Sequence, residues 1–566
     1  MALSRVLRDL AHGGHAVDDG TPEAAELVQT QEGISALKSV AEESDPDTTP
    51  FGYLFPDLAR RYPRRHLSDD NPAEMVAYLK ALGFAMAEEA PASPFDLQPD
   101  GNSTIPPVYT YWGQFIDHDL TANTDRDADI SITDGDPDPI RPNEVLERLR
   151  NLRQPALNLD SLYGDGPTFG DGEPTEAAAF YDGAEFVIGT AAVNDLGGNP
   201  IPGLRVPPEG DLRRDLPRDE TGTALVADDR DDENLIVAQL HVAFLRFHNA
   251  VVAQVRADEP ELTTPEEVFF RARDLVRWHY QWLVVHDFLK TVTADGVTDE
   301  VLETDDPLYR PRGEAFMPLE HSTAAFRFGH TLVRGSYDFN LNFGRAAEGQ
   351  NPLLPSATFD LLFTFTGKAD PPLAGQATSL PHNWIIDWNR FVDKADPLPD
   401  RFARKIDTQL APPLRELLNE GRSEEITELV RGVVKRLARR NLLRGYKLGL
   451  PTGQAVARRL QVPVLTPEQL LQGTGVELRT ALVDGGFLDE TPLWFYLLKE
   501  AEVLGEGNAL GPVGSRIVNE TIIGQLRHDP ESYLNQPGWS PEQGVRLPDG
   551  GEISTIGDLL RFAGVR

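Results

Sequence analysis

The stretch "ENLIVAQLHVAFLRFHNAVVAQVRA", residues 233–257, decides the fold class. Its apolar residues recur at spacings of three and four, through Ile236, Leu240, Ala243, Phe247 and Val251, so they line one face of a long helix. The next segment, "TPEEVFFRARDLVRWHYQWLVVHDFLKTV" at 264–292, opens like a capped helix, with Thr264 ahead of Pro265 and Glu266. Further helices are expected at 423–441 and 490–503, and the best strand signal is "AEFVIG" at 184–189. Segments rich in Pro, Gly and Asp lie between them at 126–142, 165–220 and 343–382. No fixed repeat is visible and no linker separates two cores. The pattern therefore predicts a mainly α protein: one large domain over residues 51–566 with long irregular loops and little β, preceded by a polar N-terminal arm at 1–50.

The chain has 566 residues, 40% of them hydrophobic, enough for a large core. Its 90 acidic against 53 basic residues leave a formal net charge of −37, which would repel phosphate and argues against nucleic acid as a partner. The absence of cysteine excludes disulfides, thiolate zinc sites, iron–sulfur clusters and cysteine nucleophiles. Metal ligands must then be His, Asp, Glu or carbonyl oxygen. The N-terminal stretch lacks the apolar core of a secretory signal, and no run approaches the roughly 20 apolar residues of a membrane span. A cytoplasmic protein without a membrane span is the default expectation, with non-classical secretion as the alternative.

Three clusters carry candidate chemistry. In "YWGQFIDHDLTANTD", residues 111–125, Gln114 and His118 are four apart and share a helix face, with Asp117 and Asp119 to either side. Two flanking anions favour a protonated imidazole, which could not act as a base, so either His118 is no base or something neutralises both carboxylates. In "ADDRDDEN", residues 227–234, Arg230 and Glu233 share a face just before the long helix. In "FRFGHTLVRGSY", residues 326–337, His330 sits among aromatic residues, as a ligand in an apolar pocket would. Taken singly, these also read as an acidic helix end, a surface ion-pair network and a satisfied core histidine. The pairs His241/His248 and His279/His286 lie seven apart on helix faces but have no third ligand nearby, so they read as structural.

Together and in this order, "WGQFIDHD", "DDRDDEN" and "FRFGHT" resemble the distal-histidine, catalytic-arginine and proximal-histidine motifs of the animal-type haem peroxidases, in the peroxidase–cyclooxygenase superfamily. "LDSLYG" at 159–164, "LRFHN" at 245–249, "RNLLRGYKLGLP" at 440–451 and "GPVGSRIVNETIIG" at 511–524 extend the likeness over roughly residues 50–540, and a microbial member is expected. The resemblance implies haem b, with His330 as proximal iron ligand and His118, Gln114 and Arg230 on the peroxide-binding side. It implies a peroxidase that reduces hydrogen peroxide and oxidises a small donor (halide, thiocyanate or phenol) through a ferryl intermediate, His118 serving as general base and Arg230 stabilising the developing charge.

It also implies ester links from Asp117 and Glu233 to the haem, no third link because Asn234 stands where that link needs a methionine, and calcium held by Asp119, Asn158, Asp160 and the carbonyls of Gln154 and Ala156. Esterification and calcium would then relieve the crowding at His118. Arg327, three residues before His330, stands where the fatty-acid dioxygenase branches have a radical-forming tyrosine, and it can reach a haem propionate. Gln454, three residues after "GLP", falls where the family has an asparagine bonded to the proximal imidazole, which would leave His330 less anionic. The alternatives are a fatty-acid dioxygenase or cyclooxygenase-like haem enzyme, and an inactive peroxidase-like binding protein.

Overall fold

The computed structural model describes residues 48–96, 101–122, 138–170, 176–193, 210–345, 351–368, 379–392, 401–417 and 435–566. The architecture is mainly α, about 49% helical, with a few short strands. Strand β1 (Thr49–Gly52) pairs antiparallel with β2 (Arg150–Asn151) and parallel with β3 (Met317–Pro318). β1 therefore crosses the expected boundary at residue 50. The rest of the arm, 1–47, lies outside the described residues.

Seven helices frame the interior: α1 (Val108–Leu120), α2 (Leu235–Asp258), α3 (Pro265–Leu283), α4 (Leu437–Lys447), α5 (Gly453–Leu460), α6 (Leu493–Gly505) and α7 (Pro512–His528). Asn234 caps α2 by accepting from Val237 N, and Thr264 with Glu267 forms a full capping box on α3, so the polar starts read in the sequence satisfy the first orphan amides. Beyond Leu283 the chain continues as a π-helical turn, Val284–Leu289. The helix expected at 423–441 falls mostly outside the described residues, and α4 begins at Leu437. The expected strand at 184–189 is reduced to Glu185–Phe186, paired with Tyr181–Asp182.

The first three helices meet through aromatic side chains. Phe115 stacks on Phe244 at 4.6 Å and meets Tyr280 edge-on at 6.2 Å, joining α1, α2 and α3. Such pairs contribute about 0.5–1.5 kcal/mol each beyond area burial, and here they fix the face that α1 turns away from the core. Among the described residues one helix, α2, is long and apolar enough to cross a membrane, but 83% of its apolar window is buried inside the protein. Its hydrophobicity is accounted for by its central place in the core.

Candidate functional site

Gln114, Asp117 and His118 of α1, Arg230, Glu233 and Asn234 before and at the start of α2, and Arg327 and His330 of the 3₁₀ turn Ala325–His330 all border one cavity of about 300 Å³. Three segments far apart in sequence, each singled out by its motif, are brought to one place. Gln114 Nε2 lies 3.5 Å from His118 Nε2 and 3.4 Å from Glu233 Oε2, and Asn234 Nδ2 donates to Gln114 Oε1 at 3.0 Å. Lys368 Nζ sits 3.6 Å from Glu233 Oε1.

The carboxylate that touches His118 is neither of its sequence neighbours. Asp117 borders the cavity, while Asp119 is fully buried towards Asp160. Instead Asp231 Oδ1 accepts from His118 Nδ1 at 2.7 Å, and Asp231 Oδ2 accepts from His241 Nδ1 at 2.9 Å. Burial alone would push the Asp231 carboxyl up, but the bonds from His118 and His241 outweigh it and hold the group below the usual carboxylate range. Asp231 escaped the sequence reading because it stood in an acidic run whose members look alike. The structural reading of the paired histidines holds for His248, which bonds Tyr163 and the Ala184 carbonyl, for His279, which accepts from Val545 N, and for His286, which bonds Tyr533. His241 is likewise buried, with its Nδ1 bonded to Asp231.

Arg230 is buried, and most of its hydrogen bonds are already committed. Nε and Nη2 donate to Asp228, Nη1 to the Thr121 carbonyl at 2.7 Å, and Nη2 also to the His118 carbonyl at 2.8 Å. Of five N–H groups, one on Nη1 is left without a partner among the described residues. The guanidinium therefore braces the end of α1 as well as bordering the cavity.

His330 is kept neutral: burial first, then the charges of Arg327, Arg440 and Arg444, hold its imidazole well below the usual histidine range. A neutral ring is what a metal ligand requires. Its Nδ1 lies 2.9 Å from the side-chain amide of Asn441, on α4. Gln454 makes no such contact. Its amide accepts from Thr491 N at 2.9 Å and donates to Thr491 Oγ1 at 2.6 Å, capping a loop beside α5. The residue count from "GLP" was thus the wrong register, and the expected departure at the proximal ring disappears. The discriminating signal lay inside "RNLLRGYKLGLP", where Asn441 is a polar residue at 1% exposure on the apolar face of α4.

Two of the expected calcium positions, Asp119 and Asp160, come together. Both oxygens of Asp119 and Oδ1 of Asp160 are buried with no hydrogen-bond partner. Burial, then the charge of Asp160, pushes the Asp119 carboxyl well above the carboxylate range. Asp160 is also raised by burial, against the pull of the Arg153 guanidinium, whose Nη1 is 3.7 Å away. Asn158 Oδ1 accepts from Asp160 N at 3.2 Å, the Gln154 carbonyl accepts from Ala156 N at 2.8 Å, and the Ala156 carbonyl accepts from Gln281 at 3.2 Å. Leu157 and Leu159 both hold positive φ, 49° and 60°, which bends this loop tightly around Asp160. Among the described residues no group of three or more His, Cys, Asp or Glu is arranged to hold a metal, so further ligands would be Asn158 and carbonyls.

Residues 194–387 match the family model described as animal haem peroxidase. The chain carries an animal haem peroxidase domain. Peroxidasin of Drosophila melanogaster is 24% identical over 509 residues, covering 82% of this chain and 31% of that one. The matches to three curated relatives cover 16%, 35% and 31% of those proteins' own lengths. Among solved structures, peroxidase A from Dictyostelium discoideum aligns with a TM-score of 0.52 at 17% identity, covering 86% of this chain and 89% of that one. A variant of Oryza sativa fatty acid alpha-dioxygenase with palmitic acid aligns with a TM-score of 0.51 at 13% identity, covering 91% and 79%. At these identities the structural likenesses establish the fold alone.

Proposed function

We propose that this haem peroxidase domain is an active hydrogen peroxide:donor oxidoreductase that oxidises a small halide, thiocyanate or phenolic donor. The observation that carries the reading is that His118 and a neutral His330, the latter tied through Nδ1 to Asn441, border the same cavity. The residues fit haem. Asn441 Oδ1 is a buried oxygen without a partner, and the two ends of an amide are nearly isosteric. Turned so that Oδ1 faces the ring, it accepts the Nδ1 proton and leaves the Nε2 lone pair for iron. Arg327, Arg440 and Arg444 supply the positive charge that propionates require.

When bound, the haem would supply the redox chemistry that reduces peroxide and oxidises the donor. The protein's share is proton handling. His118 Nε2 takes a proton from peroxide and returns it to the departing oxygen, while the remaining Nη1 hydrogen of Arg230 and the amide of Gln114 orient the substrate. Asp117 and Glu233 both border the cavity, so ester links to haem methyls, each formed with loss of a methyl hydrogen and with hydrogen peroxide as the two-electron oxidant, are part of the proposal.

A red-brown protein with a strong Soret band that turns over peroxide with bromide, iodide, thiocyanate or a phenol supports this reading. A colourless protein would show an inactive binding domain instead. The dioxygenase alternative draws on the apolar cavity residues Phe359, Phe363, Leu414 and Leu437. Arg327 stands against it, at the position where those branches place their tyrosine. Oxygenation of a polyunsaturated fatty acid without peroxide-driven donor oxidation would reverse the choice.

Two expected results follow from individual contacts. Asn441→Leu removes the acceptor that makes the proximal ligand electron-rich, so the Fe(III)/Fe(II) potential rises and peroxidase activity falls by roughly 10- to 100-fold. Spectroelectrochemistry checks it, and an unchanged potential would separate Asn441 from the ligand. For the acidic loop, we propose calcium between Asp119 and Asp160, since the two buried oxygens of Asp119 and Oδ1 of Asp160, all without hydrogen bonds, fit a hard cation. Chelation should then lower the melting temperature, and Asp119→Asn should lower it while removing the response to chelator. No bound calcium by elemental analysis, with a melting temperature indifferent to chelator, would leave Arg153 as the counter-charge of this loop.

A further inference from the structure

Residues 230 and 231 belong to one 3₁₀ turn, Asp229–Asp232, and both hold His118. Arg230 Nη2 donates to the His118 main-chain carbonyl at 2.8 Å, and Asp231 Oδ1 takes the ring proton of Nδ1 at 2.7 Å. The turn itself is fixed: Asp228 caps it by accepting from Arg230 N, and Asp231 N donates to the Asp228 carbonyl at 2.9 Å. The second oxygen of Asp231 is taken by His241 Nδ1 at 2.9 Å, one helical segment further on in α2. Asp231 is 0% exposed, His241 1% and His118 3%. Of the three, only His118 borders the cavity.

We infer that Asp231 is the positioning residue of His118, and that His241 acts as its clamp, so that the His118 ring is held in one orientation and one tautomer with Nε2 turned to the cavity. The inference rests on the peroxidase reading above and deepens it. An ionised carboxylate only accepts hydrogen bonds, so each ring must offer it an N–H from Nδ1. For His118 that leaves the lone pair of the neutral ring on Nε2, the atom that lies beside Gln114. The same logic operates where a buried aspartate fixes the tautomer of a catalytic histidine in serine proteases. His241 cannot itself reach a ligand in the cavity. Its contribution is to occupy Oδ2, so that the carboxylate cannot rotate away from His118. The anion that His118 contacts is Asp231, shared between two imidazoles, while Asp119 is buried towards Asp160 and Asp117 borders the cavity.

The test uses the haem-loaded protein and two small ligands. Hydrogen cyanide must lose a proton on binding ferric haem, whereas carbon monoxide binds ferrous haem without proton transfer. In Asp231→Ala, cyanide and peroxide association should each slow by roughly 10- to 100-fold, the range for losing an orienting partner, with carbon monoxide association within about twofold of wild type. His241→Leu should slow cyanide in the same direction, and His241→Asn, whose amide overlays Nδ1 and can still donate to Oδ2, should recover most of that loss. If Asp231→Ala does not fold, His241→Leu carries the comparison with Asp231 in place. A Soret band in wild type with unchanged cyanide association in the variants overturns the inference alone, as does a parallel fall of cyanide and carbon monoxide rates, which would mark a collapsed cavity. Absence of a Soret band from wild type overturns the haem reading, and the inference falls with it.

Discussion

His118→Ala is expected to yield a coloured, folded protein whose first reaction with hydrogen peroxide is slower by roughly 10²- to 10⁴-fold, the contribution of a positioned general acid–base. This corresponds to about 2.7 to 5.4 kcal/mol of transition-state stabilisation at 1.36 kcal/mol per tenfold. His118 is not a haem-holding group in the proposal, so haem content should stay near that of wild type. The backbone bond from Arg230 goes to the residue 118 carbonyl, which alanine retains. The loss should therefore be confined to the step that moves a proton from one peroxide oxygen to the other. Truncation leaves Asp231 Oδ1 without its partner in a site with no exposure, which adds a stability cost of about 1–3 kcal/mol. For that reason the stopped-flow rate should be compared at a temperature well below the melting transition. Single-mixing spectra that show a near-normal rate would remove His118 from the mechanism.

What could be read from the sequence divides by the range of the interaction. The helices from residues 235 and 265 are written in local periodicity and capping residues: the structure reproduces the first within two residues, and it starts the second at Pro265 but ends its α-helix at Leu283, before the π-helical turn Val284–Leu289. The convergence of Gln114, His118, Arg230, Glu233 and His330 on one cavity was legible because three motifs occur in a set order. The contacts between motifs were not legible. His118 and Asp231 are 113 residues apart, and His330 and Asn441 are 111 apart. No periodicity encodes which of several neighbouring carboxylates, or which of two amides, faces a given ring. In "ADDRDDEN" the turn Asp229–Asp232 sends Asp228 back to Arg230, Asp231 to His118 and Asp232 to Arg218, three different tasks for one residue type. Gln454 and Asn441 carry the same functional group, and only the packing of α4 against the loop of His330 selects between them.

Those proximal contacts also set the largest expected effect: His330→Ala should abolish stable haem binding. The pocket around residue 330 is built for a neutral ring, since burial and three arginines disfavour the imidazolium. With the ring removed, the Asn441 amide loses its partner in a place where α4 gives it no other. Arg327 keeps its bond from Nε to the Ser322 carbonyl at 3.0 Å and Trp494 keeps its bond to the Arg327 carbonyl, so the 3₁₀ turn itself should persist. The expected product is thus a folded protein with an open cavity and no axial ligand, rather than an unfolded chain. Because haem binds only the folded state, its loss also removes the stabilisation that ligand linkage supplies, about 2.7 kcal/mol at a ligand concentration 100 times the dissociation constant. The Soret band should disappear, and the melting temperature should fall to that of haem-free wild type. Exogenous imidazole, small enough for the vacated volume, should restore part of the Soret absorbance when added with haem, because it returns a neutral nitrogen ligand beside Asn441. If His330→Ala instead keeps wild-type Soret intensity and peroxide reactivity, another group holds the iron, and the assignment of this wall of the cavity as proximal is wrong.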